Sequence, residues 1–254
     1  MDANALFSAL LMGVVEGITE FLPISSTGHL ILLGVVIGFE GPPGKVFEIS
    51  IQLGAILAVM VLFRATLIGL VLRAWRPGPE RIYAVNLLLA FLPAAVIGAT
   101  LHGPITALLF SPYVVCAALI VGGIVIIVIE RLRPEPTIRS VQEIGPLAAV
   151  LIGFGQALAM IPGTSRSGAT IITALLIGVE RRTAAEFSFL LAVPTMLAAT
   201  VYSLWKARGE LDATGMSQIA VGFVAAFIVA LLVVRWLMRV IGRPRKARPS
   251  PSWT

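Results

Sequence analysis

Two carboxylates, a run of hydroxyls and an imidazole fall within one short stretch, Glu16-Gly-Ile-Thr-Glu20-Phe-Leu-Pro-Ile-Ser25-Ser26-Thr27-Gly28-His29. The flanks, Leu6–Val15 and Leu30–Ile37, are apolar. Polar groups in such surroundings are costly to bury unless they are partnered, and ionisable residues there mark function by default. Glu16 and Glu20 are four apart, so a helix places them on one face about a turn apart. Like charges so close repel in a poor dielectric, so either a shared proton or a cation must separate them. Oxygen donors of this kind suit Mg²⁺ or Ca²⁺ rather than zinc. The plainer alternative is a carboxylate pair hydrogen-bonded to hydroxyls between helices. Pro23 to Gly28 then reads as a break followed by a helix start, where Ser25, Ser26 or Thr27 can cap the new turn and free N–H groups can bind an anion. Ser26 and His29, three apart across that turn, can share a hydrogen bond through which the imidazole removes or returns a proton. Capping serines and an interface histidine are the bland readings, each as good as the catalytic one taken alone.

A second cluster, Pro162-Gly-Thr-Ser165-Arg166-Ser167-Gly168-Ala-Thr170, puts an arginine where lipid would make it expensive. A guanidinium fork matches phosphate oxygens in two-point contacts, and Ser165, Ser167 and Thr170 can extend the cradle. Its alternative is an ion pair with Glu16 or Glu20 that ties the bundle together. Glu48, Ser50 and Gln52 either line the same cavity or hydrogen-bond between helices.

The elements that must position these residues follow from composition. The chain has 254 residues, 58% hydrophobic and only 13% charged. Soluble domains carry about twice that share of charge, so this is a multi-pass membrane protein. Its formal charge of +6 invites a nucleic-acid reading, but the Arg and Lys sit in short loops and the tail, where they set orientation instead. A single Cys116 excludes an internal disulfide. Apolar runs over about 46–72, 82–101, 113–130, 185–205 and 217–241 are long enough to cross a bilayer as helices. Shorter runs, 5–22 with 28–39 and 146–161 with 168–179, pair up around the two Pro/Gly/Ser breaks. They read as re-entrant helix–loop–helix hairpins, whose broken backbone must sit in protein or a wet cavity.

The hairpins are also related. An offset of 140 brings Gly13 onto Gly153, Glu16 onto Gln156, Ser25 onto Ser165, Thr27 onto Ser167 and Gly28 onto Gly168. Glu48-Ile-Ser50 recurs as Glu186-Phe-Ser188. Arginines at 64–81, 131–139, 181–182 and 235–248 place those loops and the tail inside, while the 102–112 and 206–216 loops go outside. The first hairpin, reached through the Glu40–Lys45 linker, then enters from outside and the second from inside. The expectation is an all-α membrane protein with an inverted-topology repeat, two re-entrant hairpins and about five full spans. It forms one membrane domain over 1–242, with repeats of about 1–131 and 144–242 and a basic Pro-rich tail at 243–254.

With both motifs placed, the chain resembles bacterial undecaprenyl-diphosphatases of the bacitracin-resistance type, from Leu6 to about Met238. The resemblance is specific at Glu16-Gly-x-Thr-Glu20-Phe-Leu-Pro-x-Ser25-Ser26-Thr27-Gly28-His29 and at Pro162-Gly-x-Ser165-Arg166-Ser167-Gly168. It implies hydrolysis of a C55 isoprenyl diphosphate to the monophosphate carrier and phosphate, in support of cell-wall synthesis, with divalent-metal dependence. It further implies Ser26 as nucleophile or phosphate-binding hydroxyl; Glu16, Glu20 and His29 as the acid/base and metal group; and Arg166 as the diphosphate clamp, assisted by Ser165, Thr27, Ser167 and Thr170. The implied partners are the polyprenyl diphosphate, the bilayer and a second copy in a homodimer, with no nucleic acid. The implied location is the bacterial inner membrane, with the active-site mouth at the outer leaflet. Members commonly carry one more hydrophobic span after the segment matching 217–241; here Arg243 to Thr254 cannot span and is expected to be cytoplasmic. Inverted repeats with broken helices also build transporters, so a transporter or flippase of an anionic lipid is the alternative function.

Overall fold

A computed structural model describes residues 3–39, 41, 46–109, 111–206 and 213–242. The 243–254 tail, most of the Glu40–Lys45 linker and residues 207–212 of the expected outer loop lie outside the described residues. The described residues form ten α-helices: α1 Ala3–Thr19, α2 Ser26–Ile37, α3 Val46–Leu62, α4 Arg64–Arg73, α5 Pro79–Leu109, α6 Pro112–Leu132, α7 Pro146–Ala157, α8 Arg166–Leu176, α9 Arg181–Lys206 and α10 Ala213–Ile241. Four of them hold segments long and apolar enough to cross a membrane, Pro79–Leu101, Tyr113–Leu132, Arg181–Tyr202 and Gly215–Ile241. A fifth span is made if α3 and α4 count together.

Two expectations change. The 46–72 run is not one straight span: it breaks at Phe63 and α4 leaves α3 at 77°. Seventeen helical residues rise about 25 Å, short of the roughly 30 Å of a hydrocarbon core, and the charged Arg64 follows directly after the break. Arg64 turns back to donate to the Val61 carbonyl at 3.1 Å. The 102–112 loop is also shorter than expected, because α5 continues to Leu109 and Ser111 caps α6 through Val114 N–H, with Pro112 at the first helical position.

Both broken hairpins are present. α1 ends at Thr19 and α2 restarts at Ser26; α7 ends at Ala157 and α8 restarts at Arg166 after a single 3₁₀ turn. The packing is crosswise. α1 lies along α10, α7 lies along α5, and α3 meets α9 near the centre. Glycines set these approaches. A Cβ on Gly13 would stand 2.2 Å from the Gly222 carbonyl oxygen on α10, and one on Gly153 would stand 2.4 Å from that of Ala90 on α5. Gly54 meets the Phe223 carbonyl in the same way, at 2.5 Å. Without water to drive association, backbones this close supply the dispersion contact that holds membrane helices together. Gly13 and Gly153 are the pair superposed by the 140-residue offset, so matched positions do matched work.

α9 is the most enclosed span and α6 the least. α6 packs on both tips: Leu119 covers Gly28, and the Val115 backbone closes on Gly163, which turns at φ 91. The segment between α6 and α7 is tied to the α8–α9 turn by a parallel bridge between Ile138 and Val179 and by Thr183 Oγ1 donating to the Arg139 carbonyl at 2.7 Å. Arg181 and Arg133 both reach Glu130 at that end. The Arg139 N–H donates to Glu143 and holds its carboxyl below the ordinary value.

Candidate functional site

The two breaks meet in the middle of the bundle. Glu20 lies one residue beyond the end of α1, with its N–H still bonded to the Glu16 carbonyl, and it joins the tips. Its Oε1 accepts from Arg166 Nη2 at 2.9 Å across the interface, and its Oε2 accepts from Ser26 Oγ at 2.5 Å. Glu20 and Ser26 are both buried, and the Arg166 side chain is only 13% exposed, so this is an ion pair largely removed from solvent. Such a pair is held by its full set of hydrogen bonds, and removing either partner leaves a stranded charge.

Arg166 opens α8 and is gripped on several sides. Nη1 donates to the Ser188 carbonyl at 3.1 Å, Nη2 also reaches Met196 Sδ at 3.3 Å, and the guanidinium stands 5.8 Å from the Phe21 ring centroid. Phe21 is itself held edge-on against Phe189. Nε is buried and has no hydrogen-bond partner among the described residues.

Local sequence explains each tip. Ser165 caps α8, accepting from Gly168 N–H at 3.1 Å with ordinary extended backbone. Ser165 and Ser167 both reach the Leu22 carbonyl, at 3.3 and 2.8 Å, which sews the second tip to the first. Thr170 is fully buried and bonds back to the Arg166 and Ser167 carbonyls. Ser25 caps α2 more loosely, at 3.4 Å to Gly28 N–H, and sits at φ 62, an uncommon conformation for a residue with a Cβ. Strain of this kind costs about 1–3 kcal/mol and gathers at functional sites.

Ser26 and His29 do not share the expected hydrogen bond. Ser26 donates to Glu20, while His29 Nδ1 lies 2.8 Å from the Ser25 carbonyl. A carbonyl only accepts, so Nδ1 carries a proton, which leaves Nε2 as the ring nitrogen able to offer a lone pair. Arg166 pairs with Glu20 and not with Glu16. Glu16 is buried among Glu20, Arg166 and Glu48, and its Oε2 has no partner. Thr27 is exposed, and Gln52 is half-buried on α3. Among the described residues neither is hydrogen-bonded to the other tip. Ser50, beside Gln52, bonds back to Val46.

Among the described residues no three His, Cys, Asp or Glu side chains gather into a cation cage. The donor set still fits a hard cation. Mg²⁺ is commonly held by one or two carboxylates with water and phosphate oxygens completing the shell, and among the described residues Glu16 Oε2 has no hydrogen-bond partner.

The sequence reading left out four contributors: the Leu22 and Ser188 carbonyls, Met196 and Phe21. Backbone carbonyls leave no residue-type signal. Ser188 had one, the repeated Glu-x-Ser, though it did not tell which group would be used.

The Bacitracin resistance protein BacA family profile matches residues 9–247. The chain is 54% identical over 238 residues to "Undecaprenyl-diphosphatase 2" of Paramagnetospirillum magneticum, covering 94% of this chain and 91% of that protein. It is 52% identical over 240 residues to an undecaprenyl-diphosphatase of Parvibaculum lavamentivorans, covering 94% and 89%. A third, from Rhizorhabdus wittichii, is 54% identical over 241 residues, covering 94% and 90%.

Proposed function

The chain belongs to the Bacitracin resistance protein BacA family, and we propose that it hydrolyses undecaprenyl diphosphate to undecaprenyl phosphate and phosphate at the meeting point of its two broken hairpins. The observation that carries this reading is Glu20, which accepts from Ser26 on one tip and Arg166 on the other inside an apolar bundle. A nucleophile, its proton acceptor and an anion clamp are thereby in hydrogen-bonded contact.

The lipid tail stays in the bilayer while the diphosphate enters the tip cavity. Arg166 yields part of its hold on Glu20 to the terminal phosphoryl oxygens, and its unused Nε supplies a further donor. Ser26 Oγ attacks the terminal phosphorus and gives its proton to Glu20 Oε2. The anhydride P–O bond breaks and undecaprenyl phosphate departs. A water then displaces the serine: one of its protons goes to His29 Nε2 and is released to solvent, its remaining O–H goes to phosphate, and Ser26 recovers a proton from Glu20. Ser25, Thr27, Ser165, Ser167 and Thr170 shape the anion cradle, and Gln52 lines its wall. Glu16 and Glu20 would hold Mg²⁺ or Ca²⁺, which when bound adds positive charge beside the phosphoryl oxygens.

The same reading includes one membrane domain over 1–242 with repeats of about 1–131 and 144–242, supported by the crosswise pairing of α1 with α10 and α7 with α5. It places the protein in the inner membrane as a homodimer, its site mouth towards the outer leaflet, as the arginine-rich loops on the other side favour. The test is phosphate release from undecaprenyl diphosphate by detergent-purified protein supplied with Mg²⁺ or Ca²⁺. Saturable release is expected. Binding of the lipid with no release would overturn hydrolysis and leave an anionic-lipid transporter.

A further inference from the structure

We infer that Ser188, on α9, is a positioning residue that sets the guanidinium of Arg166 from two directions at once. The inference rests on Arg166 being the diphosphate clamp. Its backbone carbonyl accepts from Arg166 Nη1 at 3.1 Å, and its hydroxyl lies 2.6 Å from Thr170 Oγ1. Ser188 is 1% exposed and Thr170 fully buried, so no solvent competes for these groups.

Proton counting fixes the direction of the chain. Each hydroxyl has one hydrogen to give. Thr170 Oγ1 stands 3.0 Å from the Arg166 carbonyl and 3.1 Å from that of Ser167, and a carbonyl can only accept, so its hydrogen goes there. The hydrogen between the two side chains therefore comes from Ser188. Ser188 donates to Thr170, Thr170 donates to the first turn of α8, and that turn carries Arg166. One residue thus anchors both the end of the arginine side chain and the backbone from which it grows. The related position in the first repeat does something else: Ser50 spends its hydroxyl on Val46, one turn back in its own helix. Two serines in one repeated motif are local in one half and cross-helix in the other, and the cross-helix one is beside the clamp.

Ser188 touches no reacting atom, so its removal should loosen Arg166 without removing it. The experiment measures kcat/KM for undecaprenyl diphosphate and the inhibition constant of inorganic phosphate on purified wild-type protein and variants. Losing one buried hydrogen bond predicts a fall of about tenfold in kcat/KM for Ser188→Ala. The phosphate inhibition constant should rise by a similar factor, since both numbers report on the guanidinium. Ser188→Thr, which keeps the hydroxyl, should recover most of both. The Ser188→Ala/Thr170→Val double variant should be no worse than Thr170→Val alone, because each removes the same contact. Should Ser188→Ala not survive purification, Thr170→Val is read by the same two constants. An unchanged phosphate constant in the variants, or a kcat/KM within twofold of wild type, overturns the inference. Failure of wild-type protein to release phosphate would instead strike at the hydrolase reading.

Discussion

Ser25 caps α2 at φ 62 over a long 3.4 Å contact, whereas Ser165 caps α8 at φ −69 over 3.1 Å. The difference runs through both tips. Around Arg166, a carboxylate, a carbonyl, a thioether and a ring hold the two terminal nitrogens and the plane of the guanidinium. Around Glu16 and Ser25, one carboxylate oxygen has no partner and the backbone is held in a costly conformation. Related segments with matched glycines have thus divided the work. On the mechanism proposed above, the second tip serves as an electrostatic frame and the first supplies the groups that change partners. Preorganised charge on one side and exchangeable protons on the other is an arrangement suited to phosphoryl transfer.

The largest blow to this division should come from Arg166→Ala. It removes the clamp and strands Glu20, so turnover should fall by roughly a thousandfold. Stability should drop by about 3–5 kcal/mol. Phosphate release and thermal melting in detergent read the two losses, and an unshifted melting transition would show that the pair does not hold the tips together. Ser26→Ala should match that loss of turnover, by roughly a thousandfold, while leaving melting nearly unchanged. Substantial residual turnover would hand the attack to water. Next come Gly13→Val and Gly153→Val, which push side chains into facing carbonyls. Each should cost about 1–3 kcal/mol or prevent folding, and by similar amounts if the crosswise packing is balanced. A large asymmetry in melting between them would break the equivalence of the halves. The smallest change in fold should follow Glu16→Gln, which alters a buried carboxyl whose Oε2 has no hydrogen-bond partner among the described residues. Melting should hold or rise, while the Mg²⁺ concentration for half-maximal phosphate release should climb by about tenfold, the effect of one lost carboxylate contact. An unmoved Mg²⁺ titration would remove Glu16 from metal binding.

Much of this arrangement is legible in the residues themselves. Glu20, Arg166 and the serine tips announce themselves because charge and hydroxyls in apolar runs need a reason, and Pro23 and Pro162 mark the breaks. The pairing of Arg166 with Glu20 in preference to Glu16 is not legible, since both carboxylates share one helical face. The choice is made by where α1 stops, at Thr19, which frees Glu20 to turn towards α8. Ser26 escapes His29 for the same reason: the chain between Glu20 and Ser25 folds back and brings the carboxylate nearer than the imidazole. The bend at Phe63 is only half legible, because Arg64 interrupts the apolar run but neither proline nor glycine signals a change of direction. What local pattern cannot encode is which carbonyl a folded neighbour will present.

The partners in the Glu20–Arg166 pair are 146 residues apart in the chain. A ribosome adding about 5–20 residues per second takes roughly 7–30 s to deliver the arginine after the glutamate has been made. Throughout that interval the first hairpin has a carboxylate and no counterion, and hydrocarbon is a poor place for it to wait. Its seat in the bundle becomes favourable only once the second hairpin arrives. Membrane insertion of this protein therefore ends with its beginning: the earliest segment made is among the last to settle, and truncation anywhere before Arg166 leaves it with nowhere to go.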